Sequence, residues 1–246
     1  TTFNPDYDNP VLLATLTAQT PTFTRGGFLD FFGTTEKIYI GHDKGVTSIA
    51  FDGTSETFVG ALGSWTQNVP RPLQQFGASL YAGNGTNLTE IIGGGTVATY
   101  AKLSPAFPVG TQVRDLSVTK DGIYLEALVT SLALADITTS ASDTSTLAPS
   151  NSYLFKWNGV DTGYTSYNTY PAIAMSALST FGNSEFLFGY DFLGGCIYNP
   201  LDKMLTSTTT SAFAESPFPN AVASMSNLIT WITPLQFGGT LSAIQV

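Results

Sequence analysis

The sequence predicts an all-β fold, a β-propeller of about five four-stranded repeat units, with a β-sandwich or jelly roll as the alternative. Three observations lead there. A glycine-marked turn followed by a short apolar run recurs as "FFGTTEKIYIG", "QQFGASLYAGN", "TKDGIYLEALV", "STFGNSEFLFGYD" and "LQFGGTLSAIQV". Its glycines are Gly33, Gly77, Gly122, Gly182 and Gly238, separated by 44, 45, 60 and 56 residues. The runs around them are short, rich in Val, Ile, Thr, Tyr and Phe, and bounded by Gly, Asn, Asp or Pro, as strands are. Apolar residues at helical spacing persist nowhere, "SLALADI" at 131–137 and the stretch near Ala212 being the nearest approaches.

Taken in order, residues 1–27 form an N-terminal segment in which "PVLLATLTAQ" could supply a strand that closes the last unit. The repeats occupy 28–246, with units starting near 28, 70, 113, 172 and 221. In the first unit "GGFLDFF", "KIYIGH", "VTSIAFD" and "TFVGAL" read as four successive strands. The second unit offers "SLYAG", "LTEIIGG" and "TVATYAK" after its glycine, and the third "VRDLSVT", "IYLEALVT", "SYLFKWN" and "TGYTSYN". "IAMSALST", "EFLFGYD", "GCIYNP" and "KMLTST" make the fourth, and the fifth ends after "NLITWIT" and the run that follows Gly238. Four of the five glycines follow a phenylalanine: Phe32, Phe76, Phe181 and Phe237. Glycine supplies a turn's positive φ, and the aromatic ring before it is placed to wedge between stacked sheets. A Ser/Thr-rich insert at 133–151 lies between the second and third strands of the third unit, and a second such tract follows the fourth. Both belong at the surface, as filler or as partner contacts.

Composition narrows function by exclusion. Only 11% of the 246 residues are charged while 43% are hydrophobic, so the chain folds and builds its polar surface from uncharged groups. Formal net charge is -9 and the basic residues are scattered. Without a basic stripe there is no footprint for nucleic acid or for an anionic membrane. No apolar run reaches the roughly 20 residues of a spanning helix, and no signal peptide is visible. The sole cysteine, Cys196, reads as a small buried hydrophobe. "NGT" and "NLT", at Asn84 and Asn87, fit the glycosylation pattern.

Candidate chemistry is sparse. The one histidine, His42, stands beside Asp43 in "GHDKG", where other units carry "GNGTN", "GYDFLGG" and "WNGVDTG". All read as connections between second and third strands, which makes His42 a hairpin end rather than the base of a triad. One histidine and no clustered ligands predict no metal and no cofactor. Asp6 and Asp8 in "NPDYDN" would suit calcium but lack the rest of a binding loop. Asp30 and Asp115 fall on predicted innermost strands, with Glu126 one strand out. These three are the acids a propeller glycosidase would use; otherwise Asp30 and Asp115 are channel-facing polar groups, Asp115 pairing with Arg114 or another arginine. Trp65, Tyr164, Tyr167 and Tyr170 are the candidate binding aromatics, and Trp157 and Trp231 lie in similar surroundings. Exposed rings stack on sugars or serve protein interfaces, whereas in a propeller most such rings pack between sheets.

Three resemblances follow from these residues. "NPVL" at 9–12 resembles the opening of five-bladed arabinanase-type glycosidases, but "LLATLTAQT" supplies none of the acid that family places next. "SIAFDGTSETF" is similar to a sialidase Asp box without its spacing or its tryptophan, and reads as a turn. Over residues 28–246, "VRDLSVTKDGIYLEALVTS", "SYLFKWNGVDTGYTSY" and "FLFGYDFLGGCIYNPLDKML" resemble propeller modules of bacteriophage tail proteins of the nozzle type. That resemblance implies a non-enzymatic structural module of a virion or surface complex. Its partners would be other protein subunits, in a homo-oligomeric ring or larger assembly, and its loops would face neighbours or host-surface glycan. Location would be the virion or the extracellular space. The alternative is a secreted carbohydrate-binding or glycoside-hydrolysing propeller.

Overall fold

The structure is a computed structural model describing residues 30–34, 37–50, 56–91, 107–131, 151–170, 174–181, 184–191, 194–199, 204–207, 222–225, 228–235 and 238–245. Beyond residue 174, side chains are described for Met175, Leu178 and Leu187. The segment 1–27, Asp6 and Asp8, the run 92–106 and the insert 132–150 lie outside the described residues.

Five antiparallel sheets follow one another along the chain. The first runs β1 (Asp30–Gly33), β2 (Lys37–His42), β3 (Gly45–Ala50) and β4 (Glu56–Phe58). The second holds β5 (Leu73–Phe76), β6 (Ser79–Asn84) and β7 (Asn87–Ile91). The third holds β8 (Gln112–Val118), β9 (Leu125–Thr130), β10 (Ser152–Trp157) and β11 (Ser166–Tyr170). The fourth holds β12 (Ala174–Phe181), β13 (Ser184–Asp191), β14 (Gly194–Asn199) and β15 (Met204–Ser207). The fifth holds β16 (Val222–Met225), β17 (Leu228–Leu235) and β18 (Gly238–Gln245). Within each sheet every strand pairs with its neighbour in sequence, so each sheet is a meander. A 3-10 turn at Leu62–Ser64 follows β4.

The first strands of successive sheets meet: β1 touches β5, β5 touches β8, β8 touches β12 and β12 touches β16. Meanders stacked face to face, with their first strands together on the inside, define a β-propeller. The stacking explains why strands here do not alternate apolar and polar. All six residues of β9 are buried, because both of its faces are covered. Its Leu125, Ala127 and Val129 face the second sheet, where they join Tyr81 and Leu88. Leu128, on the other face, joins Met175, Leu178 and Leu187 of the fourth. Between the first two sheets, Tyr39 and Val46 meet Leu73, Leu80, Ala82 and Ile91. Each large apolar side chain so buried contributes about 1.5–3 kcal/mol. Aromatic rings cross these seams too: Tyr81 meets Trp157 edge-on at 5.6 Å and 89°.

The phenylalanine–glycine corners differ in what they do. Phe32 packs into the first seam and Phe76 into the second, where its ring lies against Gly159 of the third sheet. Gly77 and Gly122 take positive φ, 60° and 72°, as tight turns require. Gly33 does not; it ends β1. In the fifth sheet the expected order shifts by one strand. "NLITWIT" forms β17, the second strand behind β16, so Gly238 opens a third strand rather than a second. Short hairpin corners look alike wherever they fall in a meander, and β16 is too short to announce itself.

Candidate functional site

The inner strands carry two acids in equivalent roles. Asp30 of β1 accepts the backbone N–H of Phe31 through Oδ1 (2.7 Å) and that of Leu73, in β5 of the next sheet, through Oδ2 (2.6 Å). Asp115 of β8 accepts Leu116 N–H through Oδ1 (2.8 Å) and Leu178 N–H, in β12 of the next sheet, through Oδ2 (2.7 Å). Each carboxyl is a clasp from one inner strand to the following one. The sequence led to a pairing of Asp115 with Arg114 or another arginine; the hydrogen bonds described for its carboxyl run to these amide groups. Arg114 is the extra residue of a β-bulge between Val113 and Asp115. Burial pushes the Asp30 carboxyl up to about 6, against the pull of the two amides. It pushes Asp115 up to about 8, with the nearby Asp30 charge adding to the rise. Glu126, on β9, is fully buried and bonded by Lys156 at 2.8 Å. It faces Ser117 across the pair of strands.

The "GHDKG" stretch is the β2–β3 hairpin end, His42 pairing with Gly45. Lys44 N–H donates to His42 Nδ1 (3.2 Å), which leaves the ring proton on Nε2 to donate to Thr47 Oγ1 at 3.0 Å. Burial outweighs Asp43 and drives the His42 pKa down to about 4, so the ring is neutral at physiological pH. Asn84 closes the β6–β7 hairpin in the same manner, donating from Nδ2 to Thr89 Oγ1 at 2.9 Å, five residues on. In the third sheet Thr130 and Ser152 join their hydroxyls at 2.6 Å across the neck of the long insert. The Ser152 oxygen also accepts Met175 N–H from the fourth sheet at 2.8 Å. "GNGTN" and "GYDFLGG" likewise join second to third strands. "WNGVDTG" does not: it joins β10 to β11, because the insert occupies the second-to-third connection of its sheet.

A polar cluster gathers round Arg71, which the sequence does not single out. Buried between the first two sheets, its guanidinium donates to Thr66 O (2.5 Å), Gly83 O (2.9 Å), Asn84 Oδ1 (2.9 Å) and His42 O (3.4 Å). It lies 4.8 Å from the centre of the Trp65 ring. Asn84 Nδ2 also reaches Ser64 O, and Thr66 N–H donates to Asn84 Oδ1. Asn84 is therefore buried in this cluster and turned away from any glycosylating enzyme. The signal that could have found Arg71 is its flanking by Pro70 and Pro72, which fixes the approach of the chain to β5.

The four candidate binding aromatics separate. Trp65 is buried, its indole N–H donating to Val59 O at 2.8 Å, and Tyr170 is buried against Met175 and Leu178. Neither presents a face to a sugar, because each fills a seam between sheets. Tyr164 is half-buried between Phe107 and Phe155, with burial pushing its hydroxyl pKa up. Tyr167 is 62% exposed on β11, its ring stacked 5.4 Å from Phe155. Trp157 is buried, bonded to Asp161 O. Among the described residues no group of three His, Cys, Asp or Glu side chains is arranged to hold a metal, and no helix is long and apolar enough to cross a membrane.

The sheets and their stacking place this chain in the class of β-propellers. No protein-family model and no curated protein matches it. Among solved structures it is similar to a chain in the crystal structure of the mitotic checkpoint complex, at 13% identity and a TM-score of 0.46, over 88% of this chain and 66% of that one. It is similar also to apo AztD from Citrobacter koseri, at 13% identity and a TM-score of 0.40, over 89% of this chain and 59% of that one. The chain spans less than two thirds of the length of both. At such identities the likenesses concern fold alone, and the propeller assignment rests on the strand order and seams described above.

Proposed function

We propose that this chain is a non-enzymatic propeller module that holds a place in a larger assembly, a virion or surface complex, through contacts with other protein subunits. One observation supports it above the others. Asp30 and Asp115, the acids a glycosidase would aim at substrate, direct an oxygen each at the backbone of the adjoining sheet. A general acid or nucleophile needs its oxygens within reach of a glycosidic bond. The likeness in sequence to phage tail modules favours a virion over other assemblies. Exposed apolar residues fit subunit contacts: Phe31, Val109, Val160 and Tyr167 are all more than half exposed. The test is light scattering and electron microscopy of the purified chain, alone and with the proteins co-purified from its source, beside incubation with a polysaccharide panel. Assembly without hydrolysis is the expected result. Release of sugar that Asp30→Asn or Asp115→Asn abolishes, in a variant that stays folded, would overturn it.

A second reading, glycan binding without hydrolysis, draws on Tyr167 alone, whose exposed ring is braced from behind by Phe155. It predicts sugar affinity that Tyr167→Ala removes.

A further inference from the structure

We propose that Asn158 is a self-modifying site: the β10–β11 turn promotes loss of its side-chain amide through a cyclic imide, with Asp161 carrying the proton to the departing ammonia. Asparagine followed by glycine occurs twice in the chain, at Asn84–Gly85 and at Asn158–Gly159. Glycine has no Cβ to shield its nitrogen, so it is the neighbour that best lets the main chain attack the side chain. The two sites share that pair and differ in their surroundings.

At Asn158 the side-chain oxygen accepts the N–H groups of Val160 and Asp161, each at 3.0 Å. The ring closed by the Val160 bond contains the Gly159 nitrogen, so the side-chain carbonyl folds back across the peptide that attacks it. Two backbone donors on a carbonyl oxygen stabilise the negative charge that forms there as the carbon becomes tetrahedral. The side-chain nitrogen, which is the leaving group, donates to Asp161 Oδ2 at 2.7 Å. That is within reach of proton transfer. Asn158 is half-buried, and Val160 and Asp161 are exposed, so water reaches the turn. Asn84 stands otherwise. Its oxygen accepts Thr66 N–H and an Arg71 N–H, but its nitrogen donates to Ser64 O and Thr89 Oγ1. Neither partner is an acid, and the residue is buried away from hydrolytic water.

The step balances with water alone. The Gly159 nitrogen gives up its proton and bonds to Asn158 Cγ. The Cγ–Nδ2 bond breaks, and the proton, relayed by Asp161 Oδ2, leaves with the nitrogen as ammonia. The imide then takes up a water molecule. Opening at Cγ leaves aspartate; opening at the main-chain carbonyl leaves isoaspartate, whose chain is a methylene longer. Aspartate sets a carboxylate where an N–H met Asp161, and like charges at that range repel. Isoaspartate lengthens the turn itself. The same turn holds the Trp157 indole on Asp161 O at 2.7 Å and brings Gly159 against the Phe76 ring. The modification therefore loosens the outer end of the third sheet and leaves the inner strands in place.

The experiment holds the full chain for weeks in mildly alkaline buffer made with oxygen-18 water, folded and in denaturant, beside folded Asp161→Asn. Peptide mass spectrometry reads the exchange of amide for heavy-oxygen carboxyl at each asparagine, and an isoaspartate-specific methyltransferase reads the longer product. In the folded chain Asn158 should convert while Asn84 stays intact; in denaturant both should convert. Asp161→Asn should slow conversion at Asn158 about tenfold, less than a positioned acid–base group supplies in a full enzyme. Were Asp161 only a brace, its loss would free the turn and speed conversion, so an unchanged or faster rate overturns the proposal. If Asp161→Asn does not fold, the wild type decides: Asn158 intact in the folded chain, over the time in which the unfolded chain converts both sites, overturns it equally. None of these readings depends on the chain's partners, so this chemistry and the assembly role can fail separately.

Discussion

At the scale of single residues, the seams are held by small groups as much as by large ones. A Cβ at Gly41 would lie 2.2 Å from the Arg71 carbonyl oxygen, and that oxygen is backbone that cannot swing away. Gly41→Ala should therefore cost about 3 kcal/mol or more, as overpacking does, and denaturant titration reads the loss directly. Arg71→Leu removes the donor to three carbonyl oxygens and to Asn84. Buried acceptors left without a donor cost about 1–3 kcal/mol each, so a loss of about 3 kcal/mol or more is expected from the same titration. His42 offers a pH test with a single, readily assigned signal. Its folded pKa of about 4 lies below the ordinary 6.5, so its share of stability is present above 6.5 and lost as pH falls toward 4. The ring resonances should stay unmoved through neutral pH. His42→Asn, which copies the bond Asn84 makes to Thr89, should flatten the acid limb of the stability curve. The sequence displayed His42 as a hairpin residue because turn chemistry is local. It hid Arg71, whose acceptors lie on strands and loops of both sheets, and it left Trp65 looking exposed in the polar run "GSWTQN".

At the scale of the element, strand identity was legible and strand rank was not always so. β-branched and aromatic runs between turn residues marked β1–β3, β8–β10 and β12–β15 in their places. In the fifth sheet the same signals were read one strand late, since nothing in a hairpin corner counts the strands before it. Phe76 shows why the corners recur: its ring belongs to one sheet and packs on Gly159 of the next. Phe76→Ala should cost about 2 kcal/mol, below the full range for a buried phenylalanine because the ring is only partly covered. β11 behaves otherwise. Ser166, Tyr167, Asn168 and Thr169 are all exposed on a strand that pairs only with β10 among the described residues. Tyr167→Ser should leave the melting temperature within about 1 °C of wild type, because exposed positions contribute little.

At the scale of the whole molecule, the seams make the sheets depend on one another. A meander with two apolar faces cannot stand in water alone, so unfolding should be cooperative across at least the first four sheets, which share three buried clusters. Scanning calorimetry should show a single transition, and separate steps for the first and third sheets would contradict the shared seams. The charge pattern acts at this scale as well. With a net charge of -9 and no basic stripe, the chain should not bind nucleic acid at moderate salt, which a mobility-shift assay checks.

The sequence by itself determined that the chain is all-β, that its units recur with glycine corners, and that ions play a small part in it. Those properties are local or compositional: a turn, a strand preference and a charge count need no neighbours. Only the tertiary structure decided what the few polar side chains are for. Asp30 and Leu73 stand 43 residues apart in the chain, and Asp115 and Leu178 stand 63 apart, yet each pair shares a hydrogen bond. An aspartate on an inner strand reads the same in sequence whether it faces a substrate or a backbone amide. Stacking one sheet on the next supplies the amide and removes the water, and that turns a candidate catalytic acid into a clasp.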